Sequence, residues 1–183
     1  MKTRRSLLGV TFALAAFGSA SAFAAAPTEP AGYRLDDYLA PTPETLDGKP
    51  ALTVEAAKAL WSDPKALFID VLPHPPRPEG LPPGTVFRDK PHVSIARAVW
   101  LPEVGRGALA AETETYFRRS LSEVTGGDQD AILVFFCKRT CWMSWNAAKR
   151  AQAMGYRKVY WYSDGIEGWR EAGLPTETIA PRP

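Results

Sequence analysis

Soft metal ligands are scarce in this 183-residue sequence, which holds two cysteines and two histidines. A closed tetrahedral zinc site needs four nitrogen or sulfur ligands. His74 and His92 are both expected in a proline-rich loop, away from the cysteines, so no metal is expected. No Cys-x-x-Cys-His occurs, which removes covalent c-type haem. A glycine-rich phosphate loop, an internal repeat and a run of like charges are also missing. Their absence argues against phosphate-loop nucleotide chemistry, repeat architectures and charged interaction tails, and no cofactor is expected.

What is present begins with an export pattern. Lys2, Arg4 and Arg5 precede an apolar stretch at 7–17 and small residues at 20–26, where Ala22-Phe23-Ala24 and Ala24-Ala25-Ala26 offer cleavage sites. That is the order of a cleaved secretory signal. The apolar part is shorter than the ~20 residues of a membrane span. No membrane attachment is therefore expected after cleavage. Thr3-Arg4-Arg5-Ser6-Leu7-Leu8 approximates a twin-arginine signal, and the general secretory route fits as well, so both stay open. Removing 1–26 takes three of the 22 basic residues and none of the 20 acidic ones, so 19 face 20 over the remaining 157 residues. The basic balance belongs to the signal and gives no argument for nucleic acid or a membrane surface.

Residues 27–52, with Pro27, Pro30, Pro41, Pro43 and Pro50, read as an extended arm that either packs over the domain or meets a partner. Residues 53–183 read as one domain. Thr53 is a candidate N-cap for a helix carrying Val54, Ala57, Leu60 and Trp61, stopped at Asp63-Pro64. A buried strand at 66–71 ends in an aspartate, and a proline-dense loop fills 73–91. One short strand is expected at 93–101, and a helix at 109–124 closed by Gly126-Gly127. The run at 131–136 has no polar alternation, as in a central strand covered on both faces. A helix from Ser144 shows a narrow face of Ala147, Ala148, Ala151 and Met154. A strand at 158–162 and a short helix at 166–172 follow. Strand and helix in alternation predict an α/β domain with a mainly parallel sheet.

Both cysteines lie in Cys137-Lys138-Arg139-Thr140-Cys141-Trp142-Met143-Ser144, directly after the apolar run. A thiol at a strand's carboxyl end, facing a helix N-terminus, sits where such sheets bind ligands, and the unpaired N–H groups there favour a thiolate. Two thiols four positions apart in an oxidising compartment can form a disulfide, a persulfide or a shuttling pair. Lys138 and Arg139 either attract an anionic sulfur group or belong to a solvated loop face. Trp142, Trp145 and Trp161 either pack the core or line a pocket or an interface.

Several segments, in order, resemble a rhodanese-like domain. They are Phe68-Ile69-Asp70-Val71, Ile95-Ala96-Arg97-Ala98-Val99-Trp100-Leu101-Pro102, Cys137, Ala147-Ala148, Gly155-Tyr156, Val159-Tyr160, Gly165-Ile166-x-Gly168-Trp169 and Gly173-Leu174-Pro175. The resemblance implies a three-layer α/β fold, a mainly parallel central sheet flanked by helices. It further implies a sulfane sulfur carried on Cys137 in a loop whose backbone N–H groups cradle it. Lys138, Arg139, Thr140, Trp142, Met143 and Ser144 would form the substrate-binding loop, with Asp70 and Arg97 in support. Three features depart from the pattern. The loop counts seven residues from Cys137 to Met143, Met143 replaces a closing arginine, and Ser94 replaces a histidine. Phosphatase activity is not expected from such a loop, and simple thiosulfate sulfurtransferase activity stays one open alternative. Cys141 instead reads as a resolving thiol.

The Cys-x-x-x-Cys-Trp run, the arm at 33–43 and the export signal are similar to the PQQ-dependent catabolism-associated CXXCW-motif family, whose label names two intervening residues rather than three. That resemblance implies a periplasmic protein beside a quinoprotein dehydrogenase system. The expected partners are a small anionic sulfur donor or a periplasmic thiol protein. Three functions remain open: a sulfurtransferase, a thiol–disulfide shuttle, and a non-catalytic binding module with a structural Cys137–Cys141 disulfide.

Overall fold

The computed structural model describes residues 26–75, 79–82, 84–86 and 90–183. The export signal at 1–25 and parts of the 73–91 loop lie outside the described residues. An apolar strand with no polar face must be covered twice, and β6 (Ile132–Phe136) meets that demand at the centre of a parallel sheet. It pairs on one side with β3 (Leu67–Asp70) and on the other with β7 (Lys158–Trp161), while β5 (Val99–Trp100) lies beyond β3. Alternate residues of β6 feed two cores. Leu133 and Phe135 join the cluster built with α2 (Ala111–Thr125) and α3 (Trp142–Ala153). Val134 and Phe136 join the one built with α1 (Val54–Trp61) and α4 (Gly165–Glu171). The result is the expected three-layer α/β arrangement.

Local chemistry sets the helix ends. The Thr53 hydroxyl accepts the Ala56 N–H at 3.2 Å, capping α1 as its position predicts. Gly126 closes α2 in the left-handed region at φ 61°. Ala147, Ala148 and Ala151 are fully buried, and their small side chains let α3 lie close on the sheet.

Three expectations need correction. The single strand at 93–101 is two, β4 (His92–Ile95) and β5, separated by a turn in which Arg97 has φ 68° and the Ala98 N–H bonds the Ile95 carbonyl at 3.0 Å. That turn sends β4 out of the central sheet to pair antiparallel with β8 (Thr176–Ile179), a strand not anticipated from sequence. His92 therefore belongs to a strand rather than a loop. The helix after the cysteines begins at Trp142, not Ser144, because Cys141 adopts the extended N-cap conformation at φ −115°. Within the arm, β1 (Thr45–Leu46) and β2 (Lys49–Pro50) form a hairpin around Asp47-Gly48, both at positive φ, which is the sequence preference of a tight two-residue turn.

Candidate active site

Cys137 leaves β6 at its carboxyl end, and Cys141 is the N-cap of α3. The two sulfurs lie at disulfide-bonding distance with Cα atoms 6.4 Å apart. Five residues, 137–141, thus separate strand from helix, correcting the seven counted from sequence. Thr140, at φ 52°, turns the chain back. Both cysteines are 1% exposed, so the pair is closed off from solvent in this conformation.

One wall of the loop is α4. Gly165, at φ 58°, lies so close that a Cβ there would fall 2.5 Å from the Cys137 carbonyl oxygen. The Ile166 N–H donates to that same oxygen at 2.9 Å. One residue further, the Glu167 carboxylate accepts the Arg139 N–H at 3.0 Å. The Arg139 guanidinium makes a two-bond fork with Glu171, at 3.0 and 2.6 Å, and lies 3.7 Å from Asp164. The hydrogen bond from Arg139 holds the Glu171 carboxyl below the usual range. Arg139 is therefore turned towards the carboxylates of α4, while Lys138 and Thr140 are exposed on the loop.

The arm forms the opposite wall. The first N–H of α3, on Trp142, donates to the Tyr38 carbonyl at 2.8 Å, and the Trp142 indole donates to the Pro41 carbonyl at 3.1 Å. Met143 packs against Gly105, whose missing Cβ would meet the Met143 carbonyl oxygen at 2.4 Å. The Ser144 hydroxyl donates to the Cys141 carbonyl at 3.0 Å and accepts the Trp161 indole N–H at 3.0 Å. Trp142, Met143 and Ser144 are all buried, each held by internal contacts beside the cysteines.

Sequence reasoning missed the residues that fasten this wall. Asn146, fully buried, accepts the Arg34 N–H and donates to the Arg34 and Gly105 carbonyls at 2.9 to 3.0 Å. Arg150 donates to the carbonyls of Val104, Arg106 and Gly107 and stacks over Tyr33 at 4.2 Å. The available signal was polarity: Asn146 and Arg150 interrupt an otherwise small or apolar helix face, and buried polar side chains need partners.

Asp70 ends β3 beside Phe136, the residue before Cys137. Its carboxylate accepts the Leu72 N–H at 2.9 Å and the Ser94 hydroxyl at 2.5 Å, and it contacts His92 Nε2 at 2.8 Å. The His92 ring stacks on Trp100 at 3.9 Å. Asp70 thus ties β3 to β4 at the cysteine end of the sheet. The contacts of Arg97 are elsewhere: its guanidinium lies 4.4 Å from the Trp61 ring centre and bonds the Trp61 carbonyl, and its N–H donates to Glu177 at 2.6 Å.

A cysteine at the strand-to-helix switch of a doubly covered parallel sheet, with a second helix seated on its loop, defines an α/β domain equipped for thiol chemistry. The chain belongs to the rhodanese-like domain family, whose pattern matches residues 53–172. Membership places it among domains of sulfur-transfer or thiol chemistry. A comparison with curated proteins finds no match.

Proposed function

We propose that this chain is a periplasmic thiol–disulfide protein that cycles Cys137 and Cys141 between disulfide and dithiol beside PQQ-dependent alcohol oxidation. The disulfide-distance pair linking β6 to the N-cap of α3 carries the reading. A persulfide formed on Cys137 would be open to attack by the Cys141 thiolate, which forms the disulfide and releases the outer sulfur as hydrosulfide. Cys137 is then the nucleophile or sulfur carrier and Cys141 the resolving thiol. Reopening the bond takes two electrons from two partner thiols, which leave as a disulfide. The export pattern supports the compartment. The resemblance of the cysteine run and the 33–43 arm to the CXXCW-motif family supports the quinoprotein association.

Thiol counting on the folded protein tests the reading. Mild reductant is expected to expose two thiols together while the fold persists, and Cys137→Ser to leave one permanent thiol on Cys141. A bond that opens only on unfolding refutes the shuttle. That outcome favours a second reading, a non-catalytic module with a structural disulfide serving a periplasmic quinoprotein system, which the 1% exposure of each cysteine supports. Mass spectrometry of Cys141→Ser, which lacks the thiol that would expel the outer sulfur, distinguishes the carrier branch by added sulfur on Cys137 after thiosulfate treatment.

A further inference from the structure

We infer that Glu167 is a built-in anion on the cysteine loop, and that it makes the site select neutral or cationic thiols over anionic ones. The inference rests on the pair being redox-active. Successive N–H groups at a strand-to-helix loop ordinarily receive an anion. Two of those donors are already filled from within the chain. The Arg139 N–H holds the Glu167 carboxylate at 3.0 Å, and the Trp142 N–H holds the Tyr38 carbonyl at 2.8 Å. The occupancy is built by close approach: the absent side chain at Gly165 and the Ile166 N–H on the Cys137 carbonyl bring α4 within reach of the loop.

The charges agree with the hydrogen bonds. Arg139 is neutralised by its fork to Glu171 and by Asp164. Around Arg139 three carboxylates, Asp164, Glu167 and Glu171, meet one guanidinium, while Lys138 is exposed on the loop and Arg170 of α4 bonds the Val93 carbonyl at 3.3 Å. An incoming thiolate with a second negative group is repelled, and one beside an ammonium or guanidinium is drawn in. The partner that fits is a thiol protein whose reactive cysteine is flanked by Lys or Arg. In the exchange its thiolate attacks one sulfur of the Cys137–Cys141 bond, forming a mixed disulfide and expelling the other cysteine as a thiolate. A second partner thiol then resolves the mixed disulfide, so the partner is oxidised and the chain gains two electrons and two protons.

The test uses the intact oxidised protein and three small thiols: cysteamine, 2-mercaptoethanol and 2-mercaptoethanesulfonate. Opening rates are compared per thiolate at low ionic strength. A unit charge acting through water at roughly 8 Å is expected to separate cysteamine from the sulfonate, two charge units apart, by roughly fivefold, with the neutral thiol between. High salt should collapse the spread, since these side chains are half exposed. Glu167→Gln keeps an acceptor oxygen for the Arg139 N–H while removing the charge, and should at least halve the spread. Glu171→Gln should raise the sulfonate rate by loosening Arg139. A sulfonate that reacts as fast as cysteamine, or a spread unchanged in both variants, overturns the inference. If every thiol opens the bond without a charge order, only the Glu167 assignment falls. If none opens it in the folded protein, the redox reading falls and takes this inference with it.

Discussion

Replacing Gly165 by alanine tests whether α4 is seated directly on the cysteine loop. The added Cβ would lie 2.5 Å from the Cys137 carbonyl oxygen, 2.6 Å from the Lys138 carbonyl carbon and 2.9 Å from the Arg139 nitrogen. All three are backbone atoms, so no flexible side chain can swing aside. The residue is also left-handed, at φ 58°. That conformation costs an L-residue about 1–2 kcal/mol, and overpacking adds about 1–3 kcal/mol. Gly126 supplies the control, because at φ 61° it carries the same backbone strain with nothing within 4 Å of an added Cβ. Gly126→Ala is therefore expected to lose about 1 kcal/mol, and Gly165→Ala about 3 kcal/mol, the excess measuring the overlap. Urea unfolding of the oxidised proteins reads this as a shift in midpoint at constant slope. In a chain of this size each kcal/mol also lowers Tm by roughly 2–4 °C. A second readout is local: Gly165→Ala should speed thiol opening of the disulfide by displacing the loop, and Gly126→Ala should not. Equal stability losses and equal opening rates for the two variants would refute the seating of α4 on the loop.

Three further perturbations probe the arm and the helix start. Asn146→Ala removes three hydrogen bonds at a fully buried site. It should cost about 2–4 kcal/mol and open the 33–43 arm to limited proteolysis, and an arm as protected as in the wild type would contradict its role as a strap. Ser144→Ala leaves the buried Trp161 indole N–H without its acceptor. It should cost about 1–3 kcal/mol, and unfolding followed by tryptophan fluorescence checks this, with a loss below about 0.5 kcal/mol speaking against the bond. Burial alone would push the Glu29 carboxyl up, but the Thr45 hydroxyl, the Gly48 and Asp47 N–H groups and Lys149 together hold it below the usual range. A depressed folded value gives stability that is present above the unfolded pKa and lost as pH falls through the folded one. Hydrogen exchange in the 45–50 hairpin, corrected for intrinsic rates, should accelerate below the ordinary glutamate range in the wild type and lose that dependence in Glu29→Gln.

The central sheet was legible because its signals are local and of one kind. An unbroken apolar run such as 131–136 has few other solutions, and Thr53 and Gly126 mark helix ends with their own chemistry. What escaped depends on distant partners. β8 is Thr-Glu-Thr-Ile, with exposed residues, and it is a strand only because β4 offers it an antiparallel edge. The start of α3 moved from Ser144 to Trp142 because the carbonyl that satisfies the Trp142 N–H comes from Tyr38, far away in sequence. In the site, the clustering of 137–144 follows from adjacency along the chain. Asp70 was found because a strand that ends in a carboxylate at the ligand-binding edge of a parallel sheet is conspicuous. Glu167 was not, since nothing in Gly-Ile-Glu-Gly-Trp says that its carboxylate reaches back to the Arg139 N–H.

The family match ends at residues 53 and 172, yet contacts that hold the domain together extend past both limits. On the carboxyl side, all four residues of β8 pair with β4, the Arg182 N–H bonds the Trp100 carbonyl at 3.0 Å, and Tyr116 donates to the Arg182 carbonyl at 2.9 Å. On the amino side, the arm supplies the carbonyls that cap Trp142 and take its indole N–H. A bare helix N-terminus beside a cysteine is what an anionic sulfur group requires. Here a main-chain carbonyl takes one donor and a carboxylate takes another, and the residues that supply them, Tyr38 and Glu167, belong to different segments. Two N–H donors at the cysteine loop are thus occupied from within the chain, one by the arm and one by α4.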